Sequence, residues 1–258
     1  MIRKRKGVQY RTDKDKTPIH LADDIDIGVV ISNARVPAGE VRYAHGYAAQ
    51  RARLLPCVNL TCHLRLRCPL LDNRWAKLPD DAFYPDLIKS VENNGHKAIM
   101  ATAPCSDGDI ALHVGNLEKL VEEHGGLGPD CVFVGHSIGT QIIMRYLMSR
   151  SEDTVVAGAA LFAAWVDLSA DILSKLKCDP WVVPFKDDEK AKLQKCCPKL
   201  MIFISSDDNI VGLGAQHETG LKTALPWADV MVASDRGHYV VPSLNDAELA
   251  VVSDLTSA

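Results

Sequence analysis

Apolar and polar positions alternate along this chain with two different periods. Short apolar runs rich in Val, Ile, Phe and Ala predict buried strands at Ile27–Ser32, Lys97–Thr102, Cys131–Val134, Val155–Ala164, Lys199–Ser205 and Asp229–Ser234. Val41–Ala44 is a further possible strand. Between these runs the apolar residues recur every three or four positions. That spacing predicts helices over Phe83–Asn94, with Phe83, Leu87, Ile88 and Val91 on one face, and over His113–His124. It also predicts helices from Ile138 onward and over Leu213–Leu225 and Leu244–Leu255. Gly95 and the Gly125-Gly126 pair stand where helix stops belong. Residues 165–195 read as irregular, with short helical patches. Strands that alternate with helices and are almost wholly apolar belong to a mostly parallel sheet covered on both faces.

Two stretches stand outside this rhythm. Residues 1–26 carry a basic run, "MIRKRK", and read as a disordered extension. Residues 27–258 read as one α/β domain, with an atypical segment at about 41–78. From Val41 to Leu71 that segment has no acidic residue, is rich in Arg, Leu and Cys, and shows neither period.

The sharpest local signal is Gly135-His136-Ser137-Ile138-Gly139, between a strand run and a helical run. A G-x-S-x-G at a strand-to-helix junction makes a tight turn that presents the serine hydroxyl at the helix N-terminus. A side chain at either glycine would collide with the neighbouring strand or helix. The first-turn N–H groups of the helix, that of Ile138 foremost, can receive a developing oxyanion.

In a parallel sheet, functional residues gather beyond the C-terminal ends of the strands. A nucleophilic Ser137 needs a histidine to take its proton and a carboxylate to orient that histidine. Asp207 and Asp208 follow the strand "KLMIFIS", and His238 follows the strand "DVMVAS". Their order along the chain, Ser137, acid, His238, is the one this kind of fold uses. Asp208 ranks first as the acid, then Asp207, then Asp167 after the preceding strand. His217 is a rival base, set in a helix and not at a strand end. His136 reads as a neighbour of the pocket. The second oxyanion donor is expected from the loop after the first strand, with Gly46 in His45-Gly46 as its candidate. Trp165, Trp181 and Phe185 read either as core aromatics or as an apolar cap on the substrate pocket.

Composition narrows the alternatives. The chain has 258 residues, 47% hydrophobic and 24% charged, with a net charge of −4. That balance gives no ground for nucleic-acid binding, and no apolar run reaches the length of a membrane span. The N-terminus lacks the apolar core of a signal peptide, so the cytoplasm is the expected location and the eight cysteines are expected to be mostly reduced. Cys57, Cys62 and Cys68, with His63, lack the paired C-x2-C spacing of zinc knuckles, so no metal is expected. The sequon Asn59-Leu60-Thr61 carries no meaning in a chain that is not secreted.

The segments "VFVGHSIGTQIIMRYL", "VAGAALFAAW", "DPWVVPFKDDEKAKLQKCCPKLMIFISSDDNIV" and "DRGHYV" resemble the retinoblastoma-binding protein 9-like small serine hydrolases, of the α/β-hydrolase superfamily. The likeness spans about residues 83–256 and includes Pro180-Trp181, Cys197-Pro198 and Asp207-Asp208. It implies an α/β-hydrolase-like three-layer sandwich with Ser137 as nucleophile, His238 as base and the second aspartate of the pair, Asp208, as acid. It also implies hydrolysis of small esters or amides without cofactor or metal. The L-x-C-x-E motif that binds the retinoblastoma protein is missing, since Leu176-Lys177-Cys178 continues with Asp179-Pro180, so that partner is not expected. Other protein partners are not legible. The competing expectation is a hydrolase-fold binding or regulatory protein with weak catalysis or none.

Overall fold

A computed structural model describes residues 29–32, 83–93, 96–101, 110–151, 153–168, 183–211 and 214–256. Among these, six strands form one sheet: β1 (Val29–Ser32), β2 (Met100–Ala101), β3 (Val132–His136), β4 (Gly158–Phe162), β5 (Leu200–Ser205) and β6 (Asp229–Ala233). Their spatial order is β2-β1-β3-β4-β5-β6. Strands β3 to β6 are parallel, with Val132 opposite Gly158, Ala159 opposite Leu200 and Met201 opposite Asp229. This is the mostly parallel sheet expected of strands buried on both faces.

The helices between the strands are α1 (Tyr84–Asn93), α2 (Ile110–Glu123), α3 (Ile138–Met148), α4 (Asp187–Cys196), α5 (Gly214–Ala224) and α6 (Asp246–Thr256). The alternation of side chains along each strand sends neighbours to opposite faces. Phe133, Leu161, Ile202 and Ile204 pack in one core with Leu117 and Val121 of α2, most of α3, Leu193 of α4 and Leu221 of α5. Val132, Val134, Phe162 and Phe203 pack in a second core with Leu87 and Val91 of α1 and Val252 and Leu255 of α6. The result is three layers, with α2 to α5 on one face of the sheet and α1 and α6 on the other. Phe162 and Phe203 stack across β4 and β5 with centroids 4.5 Å apart, a contact of about 0.5–1.5 kcal/mol beyond its buried area.

Local chemistry sets the helix ends. Gly125 and Gly126 take φ of 108° and 84°, and Gly126 N–H closes α2 on the Val121 carbonyl at 2.9 Å. At the start of α6, Asn245 accepts the Glu248 N–H at 2.9 Å while Glu248 accepts the Asn245 N–H at 2.8 Å. This reciprocal cap typically contributes about 1 kcal/mol.

Two expectations are corrected. Residues 187–196 form a regular ten-residue helix, where only short helical patches in an irregular stretch over 165–195 were expected. Only Leu193 and Cys196 of this helix are buried, so its apolar stripe is too narrow to show among the charges. Strand β1 lies where Ile27–Ser32 was expected, but it runs antiparallel to both neighbours, pairing Val29 with Gly135 and Ser32 with Val132. Its C-terminal residue therefore lies at the end of β3 remote from Ser137. Val41–Ala44, the 41–78 segment and the 1–26 extension lie outside the described residues, as does Gly95.

Candidate active site

The β3–α3 junction is built by its glycine. A Cβ on Gly135 would stand 2.6 Å from Ile143 Cδ1 and 3.2 Å from the backbone carbon and oxygen of Gly139. Only a residue without a side chain lets α3 turn back this closely over β3. Ser137, between them, takes φ 53° and ψ −121°, a region L-residues rarely adopt. The turn is held by Ser137 N–H on the Phe162 carbonyl at 2.9 Å and by the Thr140 hydroxyl on the Ser137 carbonyl at 2.6 Å. Ile138 is the first residue of α3, so its N–H has no acceptor within the helix itself.

Three side chains from three strand ends meet here. His238 Nε2 lies 2.8 Å from Ser137 Oγ, and His238 Nδ1 lies 2.8 Å from Asp208 Oδ2. A carboxylate only accepts, so Nδ1 carries the proton and the Nε2 lone pair faces the serine hydroxyl. This is the tautomer a general base needs. The other carboxylate oxygen, Asp208 Oδ1, accepts from the N–H groups of Ile210 at 2.8 Å and Val211 at 3.2 Å. Asp208 is 1% exposed and Ser137 4%, so the contacts lie largely out of water, where they are stronger.

The loop carrying His238 is tied down on several sides. Asp207 Oδ1 accepts from the Ser205 hydroxyl and from Gly237 N–H at 3.0 Å. Ser205 Oγ in turn accepts from Arg236 N–H at 3.2 Å. The Ser205 hydroxyl and the backbone N–H groups hold the Asp207 carboxyl below its ordinary pKa. Arg236 pairs with Glu248 of α6 at 3.1 Å. Tyr239, 1% exposed, packs on Phe162 with centroids 5.3 Å apart.

The remaining candidates separate. Asp167 is exposed and, with Val166, Phe185, Gln216, Thr219 and Thr223, borders a cavity of about 740 Å³. Phe185 lies under the Arg145 guanidinium, 5.2 Å from ring centroid to Cζ. Arg145 sits about 12 Å along α3 from Ser137, at ~1.5 Å per residue. Trp165 is a core residue, 2% exposed, whose carbonyl accepts from Gln141. His217 Nε2 donates to the Ala164 carbonyl at 2.8 Å. Burial lowers the His217 pKa against the opposing pull of that carbonyl and of Asp208. His136 Nε2 meets the His238 carbonyl at 2.6 Å, so it touches the loop that carries His238 by its own ring nitrogen. His45, Gly46 and Trp181 lie outside the described residues, as do Cys57, Cys62, His63 and Cys68. Among the described residues no three His, Cys, Asp or Glu side chains gather as a metal site, and no helix is long and apolar enough to cross a membrane.

Ser205 and the Arg236–Glu248 pair were not singled out in the sequence. Ser205 leaves a trace there: it is a polar residue closing an otherwise apolar strand.

No protein-family model matches the chain, and no curated protein matches it. Solved structures do. The ydeN gene product from B. subtilis superposes with a TM-score of 0.60 at 19% identity, over 71% of this chain and 95% of its own. A structure from work on carboxylesterases of the thaumarchaeon Nitrososphaera gargenis superposes with a TM-score of 0.53 at 13% identity, over 69% of this chain and 88% of its own. Identities this low speak to architecture. The parallel sheet, its helical layers and these likenesses together give the chain the α/β-hydrolase fold.

Proposed function

We propose that this chain is a serine hydrolase of the carboxylesterase or amidase type, acting on small esters or amides, with Ser137, His238 and Asp208 as its catalytic triad. The observation that carries the reading is the continuous Ser137–His238–Asp208 hydrogen-bond chain, each link 2.8 Å long. As Ser137 Oγ attacks the substrate carbonyl carbon, its proton passes to His238 Nε2. Asp208 stabilises the imidazolium that forms. The negative charge moves to the carbonyl oxygen, where the Ile138 N–H can receive it. Collapse expels the alcohol or amine, protonated by His238, and leaves an acyl group on Ser137. Water, deprotonated by His238, then attacks the acyl carbon, and the serine leaves with the proton. The three side chains and the Ile138 N–H account for the proton transfers and for one contact to the oxyanion.

The α/β-hydrolase fold and the likeness to a structure from work on carboxylesterases support the same class. The sequence likeness to the retinoblastoma-binding protein 9-like hydrolases supports hydrolysis of small esters or amides without cofactor or metal. Hydrolysis of short p-nitrophenyl esters by wild type and by Ser137→Ala tests the reading. Turnover by wild type that disappears in the variant is expected; equal rates would remove Ser137 from the chemistry.

One observation favours a second reading, a hydrolase-fold binding protein. Strand β1 runs antiparallel, and its end lies away from Ser137. A site limited to a single oxyanion donor loses on the order of 10²–10³ in kcat. Acylation by a reactive probe with very slow turnover of esters would mark that case.

A further inference from the structure

We propose that His136 is a positioning residue for His238: its Nε2–H holds the His238 carbonyl and so sets where the imidazole meets Ser137. This rests on the serine-hydrolase reading above.

The two residues are 102 positions apart, yet His136 Nε2 and His238 O lie 2.6 Å from each other. A carbonyl only accepts, so the imidazole of His136 donates, and its proton sits on Nε2. The two rings lie edge to face, with centroids 5.1 Å apart.

The loop needs such a hold. Asp235, Gly237 and Tyr239 take φ of 61°, 51° and 54°. Backbone in this region is costly for a non-glycine residue and persists only where the surroundings impose it. Asp207 and Ser205 fix the residues before His238, and the buried Tyr239 ring fixes the one after it. The His238 ring itself is committed to Ser137 and Asp208. Its carbonyl is what His136 grips.

The position of His136 gives that grip its value. It is the last residue of β3, paired with Phe162, and it immediately precedes Ser137. Its ring is 9% exposed and meets the Phe83 ring at 81°. Base and nucleophile are thus referred to the same strand end, and the Ser137–His238 contact does not depend on the strained loop alone. A displacement of about 1 Å at such a contact costs roughly a hundredfold in rate.

The test compares His136→Gln, His136→Asn and His136→Phe in the full-length protein. Glutamine places an amide N–H near the Nε2 position. Asparagine falls one bond short, and phenylalanine keeps the ring but has no donor. The readouts are kcat and KM on a p-nitrophenyl ester, thermal midpoint, and amide hydrogen exchange over residues 235–240. Asn and Phe should lower kcat about tenfold to a hundredfold, with KM within about twofold, and speed exchange of the loop. Gln should stay within about threefold of wild type on kcat, with wild-type exchange. A Phe variant with wild-type kcat, or a folded Gln variant that falls as far as Asn, overturns the proposal. If Asn and Phe do not fold, the Gln variant decides alone by its kcat and its exchange. A wild type without hydrolysis or probe labelling overturns the hydrolase reading instead, and loop exchange in the Phe variant still judges the grip.

Discussion

Asp207 and Asp208 are neighbours in the chain, and their carboxylates serve one loop from two sides. Asp208 Oδ2 accepts from the His238 Nδ1–H at 2.8 Å, while Asp207 Oδ1 accepts from the N–H of Gly237, one residue earlier, at 3.0 Å. One holds the His238 ring and the other holds the backbone of the residue before it. Asp208→Asn cannot stabilise the imidazolium and offers His238 the wrong tautomer, so kcat should fall by roughly 10³–10⁴. Asp207→Asn keeps an acceptor oxygen for Gly237 and should cost less than about tenfold. Steady-state kinetics on the two variants checks this; the reverse ranking would exchange the roles.

The Asp207 bonds also predict a pH dependence of stability. The folded-state pKa lies below the ordinary 3.8, because the Ser205 hydroxyl and the Gly237 and Arg236 N–H groups favour the anion. A depressed carboxyl pKa contributes stability that is present above the unfolded pKa and lost as pH falls through the folded one. Wild type should therefore exceed Asp207→Asn in thermal midpoint at neutral pH. The gap should close as pH falls below the ordinary carboxylate value. Melting curves from pH 7 to pH 3 read it, and a gap independent of pH would separate the effect from ionisation.

Much of this was legible in the sequence, for physical reasons. Val132–Val134 and Leu200–Ile204 pack into the cores on both faces of the sheet, so they read as unbroken apolar runs. Gly135 marks the turn because a side chain there would meet Ile143 and the Gly139 backbone. Asp208 and His238 stand out by following strands. The direction of β1 was not legible, because four residues, Val-Val-Ile-Ser, suit a parallel or an antiparallel neighbour equally well. The grip of His136 on His238 was hidden too. It joins a ring nitrogen to a backbone carbonyl, and a carbonyl leaves no mark in a sequence.

Close backbone approaches make two glycines sensitive. A Cβ on Gly158 would stand 2.6 Å from Leu255 Cδ2 and 2.8 Å from the Lys199 carbonyl, and backbone cannot step aside cheaply. Gly158→Ala should lower stability by about 1–3 kcal/mol in urea unfolding. Gly135→Ala meets the flexible tip of Ile143 and the backbone of Gly139. It should cost a similar amount and also displace Ser137, so its probe-labelling rate should fall while that of folded Gly158→Ala holds. Equal labelling in both variants would count against the turn geometry.

Burial makes three thiols inert. It raises the Cys131 pKa, pushes Cys196 up to about 11 and raises Cys197 further. The thiolate is the reactive form, so these cysteines should resist iodoacetamide at pH 8 until the protein unfolds. Peptide mapping before and after urea reads this. Rapid native alkylation of Cys197 would show that its surroundings open readily.

In the proposed mechanism His238, oriented by Asp208, activates Ser137. A fluorophosphonate probe tests it most directly, because it bonds only to a serine made nucleophilic by its neighbours. Wild type should gain one phosphonyl group, mapped to Ser137, and lose the labelling in Ser137→Ala and nearly all of it in His238→Ala. Folded wild type that stays unlabelled, or labelling that persists in His238→Ala, would contradict the account.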